Sequence, residues 1–226
     1  MALLGLWSIV WLGNDLARVF ESDAPSVSHG TTADGWLEHG KRLPSAGDNF
    51  RTYSRLGALI GRNAVHGRVR DAMLEAYSDL SADSETAPLQ FVYGETGWPA
   101  GGPFRPHKTH RNGLSVDFMT PAVNEAGRSV PLPTSVFNLW GYRHEFDAEG
   151  QLGDLRIDYE ALGLHLLALE QSAQANGLRI RRVIFDPQLQ PDLVAAVPEV
   201  RRLQVSERRS WVRHDEHYHV DFELDD

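Results

Sequence analysis

The stretch HKTHRNGLSVDF, residues 107–118, sets His107 and His110 three apart and places Asp117 after a turn, seven residues beyond the second histidine. A second stretch, RHDEHYHVDFEL at 213–224, packs His214, His217 and His219 into six residues, so the two passages hold five of the ten histidines of the chain. Imidazole and carboxylate form the donor set that zinc takes at ~2.0–2.2 Å. Three such protein ligands with a fourth position open define a catalytic zinc site, where a coordinated water falls to a pKa of ~7. His110, Asp117 and His219 can supply the three. His217, two residues from His219, can then act as a base or steady a developing oxyanion. A lone His-x-His, or a lone His-x6-Asp, is more often a solvated accident than a metal site, so the case rests on the two occurring together on suitable elements.

Those elements are readable. Leu114, Val116 and Phe118 alternate with Ser115, Asp117 and Met119, while Tyr218, Val220, Phe222 and Leu224 alternate with His217, His219, Asp221 and Glu223. Side chains on a strand point alternately to opposite faces, so each apolar set can pack on a core while Asp117, His217 and His219 face away from it. If the two strands are neighbours, these polar groups converge. The Arg111-Asn112-Gly113 turn lets a loop histidine fold back beside the strand aspartate. LQFVYGE (89–95) and RRVIFD (181–186) also read as strands, rich in branched and aromatic residues.

Two helices complete the pattern. Val65, Val69, Met73 and Tyr77 recur four apart with Ala72 and Ala76 beside them, one face of an amphipathic helix. In DYEALGLHLLALEQSAQANG, Asp158 is the N-cap, Leu162, Leu166 and Leu169 form the stripe, and Asn176-Gly177 is the stop. Helices and strands mixed without strict alternation predict an α+β domain with an antiparallel central sheet flanked by helices and the candidate zinc site on the sheet face.

Composition narrows the chemistry. The chain has 226 residues, 42% apolar, with a formal net charge of −9 and no cysteine. Thiolate nucleophiles, disulfides, Fe–S clusters and Cys-type zinc fingers are excluded, and any metal must be held by His, Asp and Glu. The acidic balance argues against a nucleic-acid partner, and the basic run RRLQVSERR at 201–209 reads as a solvated face. There is no HExxH helix and no GxSxG elbow. The glycine-rich GETGWPAGG lacks the lysine of a phosphate loop. His66 and His165 fall on helices and read as packing or surface residues, His144 and Asp147 as a polar turn. Glu95 either lines the cleft or anchors its loop, and Trp36, Trp98, Trp140 and Trp211 read as core or rim.

GGPFRPHKTHRNGLSVDFM, followed about a hundred residues later by RHDEHYHVDF, resembles the penicillin-insensitive murein endopeptidases. These belong to a wider group of zinc peptidases that includes lysostaphin-type enzymes, D-Ala-D-Ala peptidases and the hedgehog domain, whose pattern is His-x6-Asp followed by His-x-His. The resemblance implies a fold of that kind, zinc on His110, Asp117 and His219, and a catalytic role for His217. The endopeptidases carry a further histidine before each motif, matched by His107 and His214. That makes His214 a second candidate for proton handling, and His107 a candidate for a second metal or for a prop behind the first. Glu216 stands where the family usually has aspartate. The implied substrate is the D-alanyl–meso-diaminopimelyl cross-link of peptidoglycan, and the implied location the periplasm.

Residues 2–13 form an apolar run of signal-peptide length, too short to span a bilayer. No Lys or Arg precedes it and no small-x-small cleavage site follows. Residues 1–27 are accordingly set apart as a candidate signal or anchor, or a helix or strand docked on the core, and 28–226 are taken as one metallopeptidase domain. Three rival readings stay open: a D-Ala-D-Ala dipeptidase or carboxypeptidase of the same group, a non-catalytic zinc-containing wall-binding module, and a non-haem iron oxygenase. The last usually sets its first histidine and carboxylate one residue apart, unlike the spacing here.

Overall fold

The computed structural model describes residues 2–210 and 212–225, with side chains from residue 7 onward; Trp211 lies outside the described residues. Five strands make the central sheet: β1 (Phe50–Thr52), β2 (Phe91–Tyr93), β3 (Ser115–Met119), β4 (Leu178–Ile184) and β5 (His217–Leu224). Their spatial order is β4-β5-β3-β2-β1, antiparallel throughout except for the edge pair β1–β2, which is parallel. The two histidine-bearing passages are thus neighbours. His219 lies opposite Asp117, Asp221 opposite Ser115, and Tyr218 and Val220 opposite Phe118 and Val116.

This register sorts the sheet into two faces. Val116, Phe118, Tyr218, Val220 and Phe222 are all buried against the helices and join one core cluster with Val69, Met73, Leu166 and Leu169. Each such side chain contributes on the order of 1.5–3 kcal/mol through burial. A slip of one residue would exchange the whole apolar set for His217, His219 and Asp221, so the core itself enforces the alignment that pairs His219 with Asp117.

Two long helices supply the cover: α3 (Gly67–Ala82) and α4 (Tyr159–Ala175), with α1 (Ala2–Val19) and α2 (Arg55–Leu59) before them in the chain. Val69, Ala72, Met73, Ala76 and Tyr77 bury the expected face of α3. The helix begins later than its periodicity suggests, however. Val65 belongs to a short strand, and His66 is the N-cap, its Nδ1 accepting from Arg68 N at 3.2 Å. On α4, Asp158 caps as read, its Oδ1 accepting from Ala161 N at 3.0 Å, and Gly177 (φ 66°) follows the end in the left-handed conformation.

The apolar N-terminal run is helical. Asn14 docks it on the body: its Nδ2 donates to Leu43 O and Ser45 Oγ, and its Oδ1 accepts from Asn63 Nδ2, at 3.0–3.1 Å. Trp7, Ile9 and Leu12, nearer the start, are exposed. Among the described residues, no helix is long and apolar enough to cross a membrane. A smaller four-stranded sheet, built from strands between 122 and 157, stands beside the main one.

Candidate active site

The loop before β3 brings His110 to the polar face of the sheet by a turn only glycine fits. Gly113 has φ 77°, and a Cβ there would lie 2.7 Å from His66 N. His110 itself sits at φ 68°, an uncommon conformation for a residue with a side chain, and His214 at φ 58°. Strain of this kind persists only where surrounding contacts impose it. Here one such contact is the bond from His110 Nδ1–H to Thr96 O at 3.0 Å.

That bond decides the tautomer. With its proton on Nδ1, His110 presents a bare lone pair at Nε2. This atom is buried, 3.2 Å from Asp117 Oδ1, and has no hydrogen-bond partner. The proximity is therefore not a hydrogen bond but two acceptors facing each other. His219 approaches the same oxygen from β5: its Nδ1 is 2.8 Å from Asp117 Oδ1 and its Nε2 2.8 Å from Asp221 Oδ1. Two imidazole nitrogens thus approach one buried carboxylate oxygen, although His219 is not among the residues whose donor atoms lie close enough together to share an ion.

His107 flanks this group. Its Nε2 is 2.6 Å from Glu95 Oε2 and its Nδ1 3.7 Å from Asp117 Oδ2. Donor atoms of His107, His110 and Asp117 all lie within 4.8 Å of one another, so these three could hold a metal ion. Glu95 both lines the cleft and anchors its loop: it pairs with Arg62 and accepts from Tyr53 Oη at 2.7 Å.

Beyond the carboxylate stand the remaining histidines. His217 has Nδ1 at 2.9 Å from Glu216 Oε1 and Nε2 at 4.0 Å from Asp117 Oδ2. Glu216, in the place of the usual aspartate, still reaches the imidazole. The ring of His214 lies 4.6 Å from that of His217, centroid to centroid, and its Nδ1–H donates to Val212 O at 3.0 Å.

Electrostatics separate these groups. Burial opposes charge on Asp117, but charge on His217 and the hydrogen bond from His219 outweigh it and hold the carboxyl well below its ordinary range. Burial pushes the His110 pKa down, which keeps that ring neutral. Burial also disfavours charge on His219, yet hydrogen bonds to Asp117 and Asp221 on both sides raise it to about 9. His214 is lowered to about 4 by burial and by the neighbouring His217, whereas His217 is raised because Glu216 and Asp117 overcome its burial. Two adjacent imidazoles pushed in opposite directions suit separate acid and base duties.

These groups open on a cavity of about 730 Å³, with Asp117, His107, His217 and His219 on one wall and Leu56, Ile60 and Ile184 among its apolar lining. Tyr142 also lines it. Its hydroxyl donates to Asp117 Oδ2 at 3.0 Å and accepts from Glu95 N at 2.8 Å. No sequence signal marks Tyr142, which follows a short 3-10 segment (Val136–Gly141) containing two left-handed residues, Leu139 and Trp140. Asp221, by contrast, shares the alternation of His217 and His219 and could have been singled out from it. His144 and Asp147 stay away from this group: the first contacts Pro133 O, and the second caps its own turn through Glu149 N and Gln151 N. His165 is a core residue among Tyr77, Phe91 and Phe118.

Residues 28–225 match the family model of the penicillin-insensitive murein endopeptidases. No curated protein matches the chain.

Proposed function

Since the chain belongs to the penicillin-insensitive murein endopeptidase family over residues 28–225, we propose that it is a zinc-dependent enzyme that hydrolyses the D-alanyl–meso-diaminopimelyl cross-links of peptidoglycan in the periplasm. The observation that carries the zinc reading is the buried Nε2 of His110, a lone pair without a hydrogen-bond partner facing the same Asp117 oxygen that His219 approaches. In this reading His110, Asp117 and His219 would hold the metal. His107, committed through Nε2 to Glu95, stands behind Asp117 as a prop or as part of a second metal site. Zinc so held supplies Lewis-acid polarisation of the scissile carbonyl and lowers the pKa of water to near 7.

The protein's own groups do the rest. Charged His217 steadies the oxygen of the attacked carbonyl and releases its Nε2 proton to the leaving amine. Neutral His214, with Nδ1–H tied to Val212 O, offers Nε2 as the acceptor for the proton lost by water. Residues 1–27 precede the matched region, and their helix docks on it through Asn14.

The test is a muropeptide profile of purified cross-linked sacculi incubated with the protein, with and without a chelator. Dimers converted to monomers, with loss of activity on chelation and recovery with zinc, is the expected result. Dimers left intact by zinc-loaded protein would overturn it. Release of terminal D-alanine instead would favour the carboxypeptidase reading, and binding without products the wall-binding one.

A further inference from the structure

We propose that Asp221 is a positioning residue that sets the tautomer and orientation of His219, and through it the affinity of the site for its metal. Asp221 is fully buried and lies on the polar face of β5 directly across from Ser115. Its Oδ1 is 2.8 Å from His219 Nε2 and accepts from Ser115 Oγ at 2.6 Å. Its Oδ2 accepts from Arg182 Nε at 3.1 Å and Nη2 at 2.5 Å.

An ionised carboxylate is an acceptor only, so it can face His219 Nε2 only if that nitrogen carries a proton. Nδ1 faces a second carboxylate, Asp117 Oδ1, and holds a proton there in the same way; a cation would take the place of that proton while Asp221 keeps the one on Nε2, so Nδ1 is the atom left for the metal. Asp221 thus does for His219 what the Thr96 carbonyl does for His110. It does so as a charge rather than a dipole, which makes the imidazole the better donor to a cation. Ser115 and Arg182 keep that carboxylate oriented and ionised, since a buried charge is tolerated only when paired and hydrogen-bonded. Arg182 remains partly exposed and lines the same cavity as His219.

The assignment rests on the reading of His219 as a ligand, and the experiment separates the two. Metal-free protein is titrated with zinc against a chromophoric chelator, for wild type, Asp221→Asn, Arg182→Gln and His219→Ala, with the melting temperature of each metal-free form and the visible spectrum of each cobalt-loaded form. Asp221→Asn is expected to weaken zinc binding by roughly 10–100-fold and to alter the cobalt spectrum, with Arg182→Gln weakening it less. Asparagine can still accept from Nε2, so the fold is expected to hold; should it not, the surface variant Arg182→Gln decides. Unchanged zinc affinity in the folded variants, with binding lost in His219→Ala, overturns the role of Asp221 alone. His219→Ala that binds zinc like wild type overturns the ligand reading itself.

Discussion

Removing one hydroxyl tests whether the Asp117 carboxylate is held from outside the sheet. Tyr142 donates to Asp117 Oδ2 and accepts from the amide of Glu95. Burial and the nearby charges of Asp117 and Glu95 hold its pKa well above the ordinary phenol value, so the hydroxyl keeps its proton throughout the working range. Tyr142→Phe strips a hydrogen bond to a charged group, worth about 1.5–3 kcal/mol, and orphans an amide at about 1–3 kcal/mol. The side chain is half-buried and water can reach part of the gap, so a net loss on the order of 2–3 kcal/mol is expected rather than the sum. For a domain of this size that corresponds to a fall in melting temperature of roughly 4–12 °C. A carboxylate free to rotate should also bind zinc roughly tenfold more weakly. Thermal melts with and without zinc, followed by chelator competition, measure both effects. A melting temperature within a degree of wild type together with unchanged zinc affinity would refute the claim that this hydroxyl holds Asp117.

Two further perturbations act at other depths. A Cβ at Gly94 would lie 2.6 Å from Tyr142 Oη and 3.0 Å from Asp117 Cβ. Gly94→Ala should therefore cost about 1–3 kcal/mol by overpacking and reduce sacculus hydrolysis; full activity in a stable variant would show that the site tolerates the shift. His165 is wholly buried, and burial lowers its pKa from 6.5 to about 3. The unfolded chain therefore binds a proton that the folded one refuses: the stability is fully present above pH 6.5 and is lost as pH falls from there toward 3, at about 1.4 kcal/mol per pH unit. Urea melts at pH 7 and pH 5 should differ by about 2 kcal/mol more in wild type than in His165→Gln, and equal differences would remove His165 as the cause.

The polar face of β3 and β5 was readable because strand alternation has a period of two and the residue types there are rare. Histidine and aspartate between Val116, Phe118, Tyr218 and Val220 have no place in a core, so the pattern exposes them. The Asp158 cap was readable for a similar reason, since a side-chain acceptor before an apolar stripe has a local job. Val65 misled because it falls in phase with Val69 and Met73, yet His66 caps the helix after it. The parallel pairing of β1 with β2 joins residues about forty positions apart and leaves no local trace.

Tyr142 shows where such reading stops. Tyrosine is an ordinary core residue, and it reaches Asp117 only because Leu139 and Trp140 turn the backbone through left-handed angles just before it. His144, two residues on and of a more suggestive type, contacts Pro133 O instead. The consequence is a division of labour across one carboxylate. Asp117 Oδ1 faces the imidazoles of His110 and His219, while Oδ2 is held by Tyr142. The first side is set by the β3–β5 register, which the core enforces; the second is set by a short irregular segment whose Val136 and Phe137 are exposed. Changes in that segment can therefore alter the setting of the Asp117 carboxylate without touching the imidazoles it faces, and motif spacing alone does not determine how that carboxylate is held.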